Sequence, residues 1–399
     1  MSVRVVRKQP RQQDLTGEPV LIIGAGPAGL ASAAELGRLG IPAQIIERTD
    51  AVASSWRTRY DRLRLNTCRW NAVLRFGDRY EPGTPFFPER DQAVRYLESF
   101  AARHGVKVEF GVNVERIDPG ADGWQVSTSA GQLTARQVVV ATGHQRQPRI
   151  PDWPGRDRFP GRIVHSWHYR NPDEFRGLDV LVVGSGCSGL DIATDLAKGG
   201  AGRVRVAART SPNLLLKMSC GLPTDLLQAG LYRVPTRIAD PVARIVQRLT
   251  VGDLSQWGLP RPETGIVSGL HGMGEAPHIV GSDVIAAIRA REFEIVRGVS
   301  SLDADGVRLD DGTTLQPDAI VAATGYTTGL DTMVGHLGVL DDKAQPLNYR
   351  EPPIRPGLHF VGYATCMGVI GRDAIRVMRH VHAERLADAA ARPEVASAA

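Results

Sequence analysis

The chain has 399 residues, of which 42% are hydrophobic and 23% charged, ordinary globular values that exclude disorder and collagen-like repeats. At about 100–200 residues per domain this length predicts two or three domains. No stretch reaches about 18 uninterrupted apolar residues, so no membrane-spanning helix is predicted.

The 48 basic and 43 acidic residues leave a net charge of +5. The arginines are dispersed rather than gathered in a stripe, so no nucleic-acid partner is expected. The basic start (Arg4, Arg7, Lys8, Arg11) has no apolar h-region, so no secretory signal is expected either. Cys68, Cys187, Cys220 and Cys366 include no C-x-x-C pair. That pattern argues against dithiol chemistry, a disulfide framework or a metal site, and fits a cytoplasmic protein.

Along the chain, Val20 to Ile23 predicts a strand, followed at once by Gly24-Ala25-Gly26-Pro27-Ala28-Gly29. A helical pattern through Leu30, Ala34 and Leu36 comes next, and a second strand from Ala43 ends on Glu47, followed by Arg48. Strand, glycine turn, helix, strand and acid in this order form a complete dinucleotide-binding context. Gly24 suits a tight turn, Gly26 admits a pyrophosphate to the backbone, and Gly29 lets the helix approach the strand. The diphosphate is expected at the helix N-terminus, where free N–H groups and the dipole favour anions. Glu47 is placed to accept from a ribose.

Val106 to Phe110, Gly123 to Thr128 and Gln132 to Val140 then read as three strands, ending in Ala141-Thr142-Gly143-His144. The first unit recurs from Asp179, with the turn Gly184-Ser185-Gly186-Cys187-Ser188-Gly189, a helix over Leu190 to Ala197, and a strand from Arg203 ending on Arg209. Arginine in place of glutamate changes the expected ligand, because a guanidinium pairs with a 2′-phosphate that a carboxylate repels. The first site therefore predicts FAD and the second NADP(H), with Ser211 as a further contact. Phe293 to Arg297, Gly306 to Leu309 and Thr313 to Ala322 predict three more strands before Ala323-Thr324-Gly325-Tyr326.

The predicted fold class is α/β, with two Rossmann-like three-layer dinucleotide-binding domains, the NADP domain inserted in the FAD domain. The FAD domain takes residues 1–156 and 326–399, because a strand and a helix remain after the second crossover. The NADP domain takes 157–325 and carries a helical excursion over about 213–277, the expected substrate cap.

Phe159-Pro160-Gly161-Arg162-Ile163-Val164-His165-Ser166-Trp167-His168-Tyr169 fits F-x-G-x-x-x-H-x-x-x-Y without a mismatch. This string resembles the fingerprint of class B flavin-dependent monooxygenases, and Ala323-Thr324-Gly325-Tyr326 resembles their A-T-G-Y signature. Tyr60 to Leu65, Gly357 to Gly362 and Gly368 to Ala374 are similar to segments of the plant YUCCA flavin monooxygenases. The resemblance implies an NADPH- and O2-dependent enzyme that forms a flavin C4a-hydroperoxide and oxygenates a small molecule. N- or S-oxygenation and oxidative decarboxylation of a 2-oxo acid fit. Baeyer–Villiger oxidation, or a flavin reductase or oxidase, are the alternatives. Carried over by position, Gly24, Gly26, Pro27, Ala28, Gly29, Glu47, Arg48, Trp56, Thr142, Gly143 and Gly362 bind FAD. Gly184, Ser185, Gly186, Ser188, Gly189, Arg209, Ser211, Thr324 and Gly325 bind NADP. Asn66 and His165 are the expected catalytic residues, Asn66 by steadying the flavin–NADP pair and His165 by coupling the domains. No membrane partner is expected, and a homodimer is possible.

Overall fold

The computed structural model describes residues 13–15, 19–219, 221–231, 234–273 and 277–391. Cys220 and most of the basic start lie outside these residues. Two five-stranded, wholly parallel sheets organise the chain. The first consists of β1 (Val20–Ile23), β2 (Ala43–Glu47), β3 (Val108–Phe110), β4 (Val138–Val140) and a late strand, Leu358–Phe360. Its order is Leu358–Phe360, β4, β1, β2, β3. The second consists of β5 (Arg162–His165), β6 (Asp179–Val183), β7 (Arg203–Ala208), β8 (Glu294–Arg297) and β9 (Ala319–Ala322), in the order β5-β9-β6-β7-β8. Every strand of the second falls in sequence between β4 and Leu358–Phe360.

Strands buried on both faces must be apolar throughout, which is why β1 (VLII), β4 (VVV) and β9 (AIVA) read as unbroken runs. Helix α1 (Pro27–Arg38) crosses from β1 to β2, and α2 (Cys187–Lys198) from β6 to β7. Pro27 opens α1, where its fixed φ suits the first turn and its missing N–H leaves no helical bond unmade. The two units superpose in their hydrogen bonds as well. Gly24 N–H donates to Ile46 O at 2.8 Å, and Gly184 N–H to Ala207 O at 3.0 Å. Ala141 N–H donates to Ile23 O at 2.9 Å, and Ala323 N–H to Val183 O at 2.8 Å.

Each unit also carries an antiparallel meander, and here the sequence expectation is corrected twice in the same way. The runs Val106 to Phe110 and Phe293 to Arg297 supply β3 and β8, edge strands of the parallel sheets. The first meander strands are instead Val114–Gly120 and Val299–Asp303, each with one irregular step of register. Only one face of each is buried, so charged and small residues dilute the apolar signal. The expected strands over 132–140 and 313–322 each divide in two. Gly131–Ala135 and Thr314–Leu315 end the meanders, then β4 and β9 enter the parallel sheets.

Among the described residues, 213–277 hold three α-helices, α3 (Thr224–Leu231), α4 (Thr236–Thr250) and α5 (Ile266–Met273). The strand Leu214–Leu216 before them pairs parallel with His278–Val280 after them. The excursion is thereby closed at its base. A final helix, α6 (Met367–Ala391), packs against α1. His359 and Gln137 hold it to the first sheet through the Glu384 carboxylate, at 3.0 and 3.3 Å.

Candidate active site

Both glycine turns are shaped by what a side chain would strike. Gly24 has φ +106°, and a Cβ there would lie 2.9 Å from Ala141 O. A Cβ on Gly29 would overlap the Gly24 carbonyl oxygen. In the second turn Gly184 has φ +115° with Ala323 O at 2.5 Å, and a Cβ on Gly189 would overlap Gly184 O. These four glycines are required by the packing of strand, turn and helix. Gly26 differs, because a Cβ there meets nothing within 4 Å. The space over Gly26 is open and faces the N-terminus of α1, whose first N–H groups have no helical acceptor. Gly186 is open except for the His278 ring, 3.3 Å away.

Three crossover ends meet at the first cradle. A Cβ on Gly362 would lie 2.6 Å from the Ala28 methyl, and one on Gly143 would lie 3.8 Å from Gly362 O. Thr142 Oγ1 is 3.4 Å from the Tyr363 hydroxyl. Glu47 is half-buried beside them. Its Oε2 accepts from Ala25 N–H at 2.8 Å, and its Oε1 from Thr49 N–H at 3.0 Å and Thr49 Oγ1 at 2.9 Å. The carboxylate is thus oriented by the turn itself and keeps lone pairs for a ligand. Arg48 is exposed and reaches Arg146 O at 3.4 Å. Trp56 is half-buried against the core around α1.

At the second cradle the corresponding strand end carries Arg209, exposed and without a hydrogen bond or ion pair among the described residues. Its backbone is held closely, since a Cβ on Gly298 would lie 3.2 Å from Arg209 Cβ. Ser185 Oγ donates to Thr210 O at 3.2 Å and Ser211 Oγ to Pro260 O, so both hydroxyls fix the loop that carries Arg209. Ser188 is half-buried in the first turn of α2. Cys187 begins α2 and donates to Ile279 O at 3.4 Å; burial pushes its thiol up to about 11. A thiol so held is not a thiolate at neutral pH, despite its place at a helix N-terminus.

The fingerprint residues hold the junction. His165 is buried. Its Nδ1 accepts from Trp167 N–H at 3.0 Å, so the proton is on Nε2, which donates to Gly325 O at 3.0 Å. Burial also lowers its pKa below the usual 6.5. Tyr169, buried, donates to Asp195 Oδ2 at 2.8 Å, and a Cβ on Gly161 would lie 2.7 Å from Asp318 O. Thr324 Oγ1 donates to Arg149 O. Arg59 joins the halves by contacts that sequence reasoning missed. Its guanidinium donates to the Tyr326 hydroxyl and to Gln145 Oε1 (2.6 Å), and lies 5.2 Å from the Trp167 ring centroid.

Asn66 is half-buried between buried Leu65 and Cys68, and its amide makes no hydrogen bond among the described residues. The excursion clasps the loop that carries it. Asp225 of α3 accepts from Cys68 N–H at 3.3 Å and Asn71 Nδ2 at 3.1 Å. Lys217 Nζ donates to Arg64 O at 2.9 Å and lies 5.8 Å from the Phe87 ring centroid. Burial lowers the Lys217 pKa. Partners more than 150 residues apart leave no local signal, so this clasp was not legible beforehand. No contact between Asn66 and His165 brings the two expected catalytic residues together.

Paired glycine cradles on parallel sheets, one ending in an acid and the other in an arginine, define a flavoprotein oxidoreductase. Residues 21–218 match the pyridine nucleotide-disulphide oxidoreductase family. Indole-3-pyruvate monooxygenase YUCCA1 of Oryza sativa subsp. japonica is 35% identical over 380 residues, covering 91% of each chain. Probable indole-3-pyruvate monooxygenase YUCCA1 of Arabidopsis thaliana is 33% identical over 379 residues, covering 90% of this chain and 88% of that protein. The chain belongs to the YUCCA family of flavin monooxygenases, and it is an enzyme of the monooxygenase class. Among solved structures, a flavin-containing monooxygenase from Stenotrophomonas maltophilia superposes with a TM-score of 0.71 at 20% identity. That match covers 92% of this chain and 99% of the other. An oxidized steroid monooxygenase bound to NADP also gives 0.71 at 20% identity, covering 95% and 87%. At such identities the likeness is one of fold.

Proposed function

We propose that the Gly24–Gly29 cradle with Glu47 holds FAD, and the Gly184–Gly189 cradle with Arg209 holds NADPH. On this reading residues 1–156 and 326–399 form a Rossmann-like FAD domain, residues 157–325 an inserted NADP domain, and 213–277 the substrate cap. The observation that carries it is the contrast at the two strand ends, an oriented Glu47 against an Arg209 with no partner among the described residues. The residues fit both groups, since Gly26 and Gly186 cap α1 and α2, whose first-turn N–H groups have no helical acceptor, with open space over Gly26 and the His278 ring 3.3 Å from a Cβ on Gly186. Together the bound nucleotides supply hydride transfer and activation of dioxygen.

The protein's part is placement. Glu47 accepts from the ribose hydroxyls of the first nucleotide, and Arg209 pairs with the 2′-phosphate of the second. His165, held as the neutral Nε2–H tautomer, positions the Ala323–Tyr326 crossover against β5. It has no nitrogen free to move a proton, so it is a positioning residue. Asn66 is the available donor, an amide that orients a partner without acting as a base. The clasp of Lys217 and Asp225 holds the Asn66 loop in place.

The substrate we assign is a 2-oxo acid, cleaved oxidatively to carbon dioxide and the acid one carbon shorter, with indole-3-pyruvate the first choice. Support comes from the relatives named for that compound, at 35% and 33% identity. The purified flavoprotein, given NADPH, oxygen and indole-3-pyruvate, should form indole-3-acetate and carbon dioxide in step with NADPH consumed. NADPH oxidation that yields only hydrogen peroxide would overturn this substrate and favour the oxidase reading.

A further inference from the structure

Helix α4 is fastened to the protein along one side only. Ala239 and Ala243 are buried in a small core with Ile266 and Val267 of α5. The Asp240 carboxylate accepts from Val267 N–H at 2.6 Å and Ser268 N–H at 3.3 Å, and Gln247 Nε2 donates to Leu214 O at 3.0 Å. The outer side has no such account. Ile238, Val242, Ile245 and Leu249 are 53%, 45%, 60% and 77% exposed. Their spacing of four, three and four places them in one stripe along the helix.

Arg237, Arg244 and Arg248 run beside that stripe, about 110° round the helix at about 100° per residue. All three are exposed, and none makes a hydrogen bond or ion pair among the described residues. Asp240 is the acid that Arg244 feels, and its oxygens are already held by the α5 N–H groups. Single exposed aliphatic side chains are ordinary, but a four-residue stripe bordered by unpaired arginines is not. Met218, Leu222, Leu226 and Leu227, also exposed, belong to the same excursion.

We propose that α4 lies on an anionic phospholipid surface, its aliphatic stripe sunk below the phosphates and its three arginines reaching them. Charge selects this occupant over a second copy of the chain. Antiparallel two-fold pairing of α4 through its stripe sets the arginines of both copies on the same side of the seam, whereas an anionic surface neutralises all three. The helix lies on the bilayer and does not span it; no helix among the described residues is long and apolar enough to cross a membrane.

The test is co-sedimentation of the full, FAD-loaded chain with vesicles of phosphatidylcholine alone, or with roughly 30% phosphatidylglycerol. Binding to the anionic vesicles only, released by salt, is expected. Arg244→Gln and Arg248→Gln should each weaken partitioning about fivefold. Ile245→Glu with Leu249→Glu should abolish it, and because both side chains are exposed, flavin content and melting temperature should stay unchanged. No partitioning to anionic vesicles, or partitioning that survives the double glutamate variant, overturns the proposal. So does a dimer in solution that the same variant splits without any effect on vesicles, which makes a second copy the occupant.

Discussion

His165 Nε2 lies 3.0 Å from the carbonyl oxygen of Gly325, bridging 160 positions of sequence between the fingerprint strand and the second crossover. Trp167 N–H donates to Nδ1, so the two contacts together require the neutral ring: protonation would keep the Nε2–H bond to Gly325 but set an Nδ1–H against Trp167 N–H. The fingerprint histidine therefore works as a strut that is complete only in the neutral form, because protonation removes the acceptor of Trp167 N–H.

Stability should follow from that. Burial depresses the folded pKa of His165, so its contribution is complete above the ordinary value of 6.5 and is lost as pH falls below it, through the folded pKa. His104 and His144, lowered by burial as well, add to the same slope. The informative quantity is thus the difference between wild type and His165→Ala. The variant should melt lower at pH 8, by about 1–3 kcal/mol for each group left unpaired, and the gap should narrow toward pH 5. A gap independent of pH would show that the ring is not held neutral.

Two glycines three positions apart should fail differently. A Cβ on Gly29 overlaps the Gly24 carbonyl, so Gly29→Ala should cost about 4 kcal/mol or more and yield little folded protein. Gly26→Ala has an ordinary backbone, φ −81°, and open space, so the protein should fold with a near-normal melting temperature. It should nevertheless retain much less FAD, read as the ratio of flavin to protein absorbance. Full flavin content in Gly26→Ala would move the diphosphate elsewhere.

What the sequence made legible was the repeated unit, because a buried parallel strand and its glycine turn are both local. Val20 to Gly29 and Val180 to Gly189 carry their whole meaning within ten residues. The meanders were half legible. Gly123 and Gly306 mark turns, but Val114–Gly120 contains Glu115, Arg116, Asp118 and Pro119, which mask a strand buried on one face. Least legible were contacts made by folding, such as Arg59 with Tyr326 and Lys217 with Arg64. Arg59 stands among Arg57, Arg62 and Arg64 with nothing local to single it out, and only folding brings Trp167 and Tyr326 around it.

Asn66 should separate stability from coupling. Its amide has no partner among the described residues, so Asn66→Ala should change the melting free energy by no more than about 0.5 kcal/mol. If the amide orients the two nucleotides, turnover should change in kind. NADPH consumption should persist while product per NADPH falls and hydrogen peroxide rises to match. Simultaneous assays of NADPH, product and peroxide check this, and an unchanged product ratio would remove Asn66 from the site.

Arg209 should set the choice of coenzyme. It is exposed, without a partner among the described residues, and fixed at its backbone by the close approach of Gly298, so its guanidinium is ready for a dianion. A bidentate, charge-assisted contact is worth about 1.5–3 kcal/mol, so Arg209→Ala should raise the KM for NADPH about ten- to a hundredfold. The KM for NADH should barely move, because NADH has no 2′-phosphate to lose. Arg209→Lys should restore only part of the preference, since an ammonium offers a point charge in place of the planar fork. Steady-state kinetics with both coenzymes at fixed ionic strength decide it. Equal losses for NADPH and NADH would mean that Arg209 supports the loop rather than the phosphate. Ser211, whose hydroxyl is bound to Pro260 O, would then be equally structural, and the 2′-phosphate would have to be sought beyond the end of β7.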